Sequence, residues 1–165
     1  MAAAYLVVLI ALAFFTLAKS RRIVGALVGG IVAAGVGLGA IAVGENMGWW
    51  RTPIWTVSLF VLGYVGLAVS LAPFLLVSWR VARRFGLRGL VIGVGGAAIV
   101  GPIRDYAFAS VFPDWIVFSP GLPPILAVSA TYVSWVVVGH ASMRLVAGPA
   151  RRDALRSRSH PTVND

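Results

Sequence analysis

The chain has 165 residues, 59% of them hydrophobic and 12% charged, with a mean hydropathy of +0.92, a net charge of +9 and no cysteine. A water-soluble domain averages about 45–50% apolar and about 25% charged residues, so that class is excluded, as is an ordinary disordered chain, which is poor in apolar residues. Without cysteine there is no disulfide, thiolate metal site or Cys nucleophile, and a small multi-pass membrane protein remains.

Five apolar spans follow one another at 2–18, 23–43, 53–79, 89–112 and 125–146. About 20 helical residues cross a hydrocarbon core of roughly 30 Å. The second, third and fifth spans meet that length and the first is at its lower limit. The basic residues between them alternate in density. Lys19, Arg21, Arg22, Arg80, Arg83, Arg84, Arg88, Arg144, Arg151, Arg152, Arg156 and Arg158 fall on one side, and Arg51 and Arg104 on the other. Positive residues stay cytoplasmic. The expected fold is therefore an all-α integral membrane bundle of five transmembrane helices, N-terminus outside and C-terminus cytoplasmic. It forms a single domain over 1–148, followed by a basic, disordered cytoplasmic tail over 149–165. A multi-pass protein of a bacterial-type cytoplasmic membrane fits this charge pattern. The first span does not read as a signal peptide, because its basic residues follow the apolar run instead of preceding it.

The second span carries ordered small residues. Gly25, Gly29, Ala33 and Gly37 recur every four positions, and Gly89, Gly93, Ala97 and Gly101 repeat the pattern in the fourth. Small residues at that spacing let helix backbones approach closely in lipid, so the second and fourth spans are expected to pair at the bundle centre. In the third span Pro73 predicts a bend. Trp49, Trp50, Trp55 and Trp79 suit the aromatic belts at the headgroups.

The fourth span is the informative one. Residues 89–100 make roughly 18 Å of helix, too short to cross, and Gly101-Pro102-Ile103-Arg104-Asp105-Tyr106 follows. Either the helix continues through Pro102 to Phe112, or it breaks at Gly101-Pro102 and a second short helix follows. In both cases Arg104 and Asp105 sit between apolar stretches, where ionisable residues are costly and mark functional sites by default. Tyr106 adjoins them. In the fifth span Tyr132, Val136, His140 and Arg144 share one face at four-residue spacing. With an unperturbed pKa near 6.5, His140 could relay protons, or it could hydrogen-bond a Ser or carbonyl of another helix.

The segment PDWIVFSPGLPP reads as an aromatic, proline-broken loop that either lids a cavity or hugs the interface. Arg80, Arg83, Arg84 and Arg88 form a cytoplasmic cluster suited to anionic lipid headgroups. No metal site, cofactor or nucleic-acid platform is legible. The leading functional expectation is a carrier or permeation protein for a small solute or protons, with Arg104, Asp105, Tyr106, Tyr132 and His140 as candidate path residues. A non-catalytic subunit or assembly factor of a membrane complex is the alternative, and a membrane-embedded lipid-modifying enzyme the second. Five spans make a thin-walled bundle, so a homo-oligomer or a partner membrane protein is expected.

Overall fold

The computed structural model describes residues 7, 10, 11, 20–53 and 56–148. The expected first span, apart from those three residues, and the expected tail lie outside the described residues. Among the described residues three helices carry the fold: α1 (Ser20–Asn46), α2 (Val57–Val111) and α3 (Leu122–Ala147). Each is long and apolar enough to cross a membrane, which makes this an all-helical, membrane-type protein. A two-stranded antiparallel pair, β1 (Trp50–Arg51) with β2 (Val117–Phe118), joins the two loops at one end.

Helix α2 would be roughly 82 Å long if straight, far beyond one crossing. Gly86 interrupts it with φ 63° and ψ −148°, a backbone region that is essentially reserved for glycine. The arms on either side, 57–85 and 87–111, run back alongside each other. Leu67, Ser70 and Phe74 of the first arm line the same cavity as Gly93, Val100 and Arg104 of the second. Thus the interruption near this part of the chain falls at Gly86, in the Arg-rich stretch between the expected spans. The Gly101-Pro102 step stays helical, so the proposed break there is corrected. Pro102 lacks an N–H to donate, and helical φ/ψ is kept through it.

The core lies where α1 meets α3 and the first arm of α2. Ala26, Ala72, Leu75, Leu76, Trp79 and Met143 form one buried cluster. On α3 the inward face is Val128, Tyr132, Val136, Gly139, His140 and Met143, the stripe that i, i+4 spacing dictates. The glycines of α1 set the closeness. A Cβ on Gly29 would lie 2.5 Å from the Gly139 carbonyl oxygen and 2.8 Å from Leu75 Cδ1, and one on Gly30 would collide with the Ala68 carbonyl. Gly25 faces Met143 and Ala147, and Gly37 faces the Trp135 ring. The expected pairing of the second with the fourth span is therefore corrected: these glycines receive α3 and the first arm of α2. Small residues permit close approach by any helix, so the pattern does not name the partner.

Two tryptophans also depart from the expected belt. Trp50 is buried, its ring against Gly44 and its indole N–H donating to the Ile41 carbonyl at 3.1 Å. Trp79 is buried too, with the Arg22 and Arg83 guanidinium groups 5.3 and 5.8 Å from its ring centroid.

Candidate functional site

The second arm of α2 brings Arg104 and Asp105 to the level of Tyr132 on α3. Arg104 Nε and Nη2 donate to Asp105 Oδ1 at 3.0 and 2.8 Å, and the Tyr132 hydroxyl donates to the same oxygen at 2.9 Å. The Arg104 guanidinium also lies 5.3 Å from the Tyr132 ring centroid. Gly101 makes this possible, because a Cβ there would occupy the Tyr132 ring. A second tie between the helices runs from the Ser129 hydroxyl to the Ala98 carbonyl at 2.8 Å. Adjacent residues on a helix do not ordinarily face each other. The long Arg104 side chain nevertheless folds back onto its neighbour, leaving Arg104 61% and Asp105 25% exposed.

Two cavities meet at this triad. One, of about 260 Å³, lies toward the loops and is lined by Trp50, Trp115, Phe118, Asp105 and α1 residues around Gly37. The other, of about 590 Å³, lies toward Gly86 between the two arms of α2, against Val136. Leu67, Arg104, Tyr132 and Trp135 belong to both. Most of the lining is apolar, so the charged pair is the polar feature of the junction.

The two loops roof the smaller cavity. Phe118 stacks on Tyr106 with ring centroids 4.3 Å apart and meets Trp50 edge-on at 5.9 Å. Ser119 N donates to the Trp49 carbonyl at 2.9 Å, and the Ser119 hydroxyl donates to the Gly48 carbonyl. The Glu45 carboxylate accepts from both the backbone N–H and the hydroxyl of Thr52. The pairing of two loops more than sixty residues apart had no signal in the sequence, since neither shows strand alternation over a useful length. Tyr106 is held in this roof: its hydroxyl is buried without a described partner, and Asp105 engages Tyr132 instead.

His140 lies elsewhere. It is buried on α3, with Nδ1 3.1 Å from the Ser78 hydroxyl oxygen of α2. Ser78 uses its own proton on the Leu75 carbonyl at 2.9 Å, so its oxygen is left to accept from His140 Nδ1–H. This is an interhelical tie two helical turns, about 12 Å, along α3 from Tyr132. Ser78→Ala is expected to lower stability by about 1 kcal/mol. Thermal unfolding of the purified variant beside wild type checks this.

Of the remaining candidate glycines, Gly89 meets Val81 and Phe85 of its own helix pair, whereas a Cβ on Gly93 would meet nothing within 4 Å among the described residues. Among the arginines of the Gly86 turn, Arg83 lies by Trp79 and Arg84 by Phe85 at 5.3 Å; Arg80 and Arg88 are exposed. Sequence reasoning missed Arg22. It is 2% exposed, and its Nη1 donates to the Gly148 carbonyl at 2.6 Å. A basic residue beginning an apolar run reads as a loop charge, and nothing local distinguishes it from Arg21.

No protein-family model, curated protein or solved structure matches the chain.

Proposed function

We propose that the protein is a five-span membrane carrier, N-terminus outside and C-terminus cytoplasmic, which passes a small solute along the two cavities through the Arg104–Asp105–Tyr132 junction. The observation that supports this reading is the meeting of both cavities at one charged, hydrogen-bonded triad. A charge at membrane depth normally faces a protein interior or aqueous cavity, and here it stands where two cavities join. In this reading 57–85 and 87–111 are separate crossings, and the Gly86 turn with Arg80, Arg83, Arg84 and Arg88 rests on anionic headgroups inside. Tyr106 and Phe118 close the outer mouth. His140 holds helices together and takes no part in the path.

Arg104→Ala and Asp105→Asn should each lower flux at least tenfold with helix content and thermal stability nearly unchanged, since both side chains are partly exposed. The assay is uptake of a panel of labelled small solutes, with a pH-sensitive dye for protons, into proteoliposomes. Wild-type flux in both variants overturns the assignment. A cytoplasmic-only fluorescent reporter at the C-terminus should be bright, and a dark fusion overturns the orientation.

One observation favours a subunit reading as well. Gly35 and Gly39 are exposed on the outward face of α1, with nothing within 4 Å of a Cβ at either among the described residues. A partner helix docked there would be released by Gly35→Leu in gentle extraction and native mass spectrometry, and an unchanged assembly would remove this reading.

A further inference from the structure

Building on the carrier reading, we propose that the solute is a zwitterionic, chain-bearing amphiphile that enters sideways from the bilayer. Its apolar chain lies between the arms of α2, and its head bridges Arg104 and Asp105.

Three observations lead there. First, the larger cavity is walled by residues of the bilayer-facing surface. Phe74 is 41%, Val77 40% and Val100 62% exposed, and all three line it, so it opens between the arms. Second, Gly93 and Gly96 line that opening, and a Cβ on either would meet nothing within 4 Å among the described residues. The small residues of this arm leave a notch instead of closing onto a neighbour. A volume of about 590 Å³ falls within the roughly 300–1,000 Å³ of ordinary ligand sites, and an apolar lining suits a hydrocarbon chain.

Third, the junction that this cavity shares with the smaller one is dipolar. Arg104 lines both cavities and Asp105 lines the smaller one; the two charges compensate each other, and Arg104 Nε, Arg104 Nη2 and the Tyr132 hydroxyl donate to Asp105 Oδ1. Asp105 Oδ2 carries no partner among the described residues. A purely anionic head drawn to the guanidinium would stand beside the carboxylate and lose by repulsion much of what it gained, at low dielectric where charges interact strongly. A purely cationic head meets the same obstacle at Arg104. A head bearing both an acidic group and an ammonium satisfies the guanidinium with one and Oδ2 with the other, leaving no charge unopposed.

The test is native mass spectrometry of the purified full chain with three probes: lysophosphatidylethanolamine, lysophosphatidylglycerol and glycerophosphoethanolamine, the last a head without a chain. Lysophosphatidylethanolamine should bind one to one, at least tenfold more tightly than either of the others. Gly93→Leu, which fills the notch, should weaken it at least tenfold at unchanged thermal stability. Gly96→Leu is a second variant for the same purpose, and Gly95→Leu, exposed on the same arm but outside the lining of either cavity, should bind as wild type. Absence of binding, binding insensitive to both notch variants, or equal binding of lysophosphatidylglycerol or of the bare head overturns the proposal. The carrier reading fails separately. An Arg104-sensitive flux of a water-soluble solute without amphiphile binding keeps the carrier and removes the amphiphile. Notch-dependent binding without protein-dependent transfer between leaflets of proteoliposomes keeps the site and removes the carrier.

Discussion

Replacing Gly29 with leucine is expected to lower stability by about 3 kcal/mol or more, enough to prevent recovery of a folded monomer. Overpacking typically costs about 1–3 kcal/mol when neighbouring side chains can yield. At Gly29 the nearest obstacle is the carbonyl oxygen of Gly139, 2.5 Å from where the Cβ would stand. Backbone in a packed helix cannot turn aside, so α1 and α3 would have to separate along the whole contact that includes Gly25 and Met143. Gly35→Leu is the matched comparison. It lies on the same helix in open surroundings and should stay within about 0.5 kcal/mol of wild type. Thermal unfolding in detergent, read by circular dichroism, compares the two. Equal midpoints would mean that α1 and α3 do not approach through this glycine.

The second large effect is expected at Arg22. The last turn of a helix presents carbonyls without intrahelical donors at the negative end of the helix dipole. At the end of α3 these are met by the neighbouring helix: Arg22 Nη1 on the Gly148 carbonyl at 2.6 Å and Arg21 Nε on the Val146 carbonyl at 2.9 Å. Arg22 is buried against Trp79 while Arg21 is exposed, so the two should not be equivalent. Arg22→Ala removes a charge-assisted hydrogen bond, worth about 1.5–3 kcal/mol, together with a cation–π contact, and leaves a void beside the ring. A loss of about 3 kcal/mol is expected, against less than about 1 kcal/mol for Arg21→Ala. Arg22→Lys should recover less than half, because an ammonium lacks the planar fork that stacks and donates together. Similar unfolding midpoints for the two alanine variants would refute the cap.

How far the sequence foretells this arrangement differs from feature to feature. Among the described residues the apolar runs predict helices in the right places, because length and composition alone decide that a segment suits a bilayer. The small residues of α1 announce close approach, and Gly29 and Gly37 are indeed approached closely, but a missing side chain carries no information about which helix fills the gap. The same pattern in the second arm of α2 produces opposite outcomes: Gly101 receives the Tyr132 ring, while Gly93 lines a cavity. Arg104, Asp105 and Tyr132 could be nominated because a charge among apolar residues is conspicuous. Their meeting depends on the reversal at Gly86, one glycine in an arginine-rich stretch, and no local signal sets the angle at which the arms return. His140 shows the converse. The sequence allows it either a proton relay or a hydrogen bond to another helix, and it contacts the Ser78 hydroxyl, a partner that no local signal names.

The ties between α1 and α3 have a bearing on how the chain is made. Arg22 is synthesised some 126 residues before the carbonyl it caps, and Ser119 reaches back across the hairpin to Trp49. During synthesis, the earlier helices can be complete before the carbonyl that Arg22 donates to has been made. Contacts so distant in sequence form late, and the unfinished protein meanwhile exposes what the finished one hides. A copy that stops before the final helix therefore lacks the Gly148 carbonyl that Arg22 meets in the finished fold, so the last segment to be made secures one of the first.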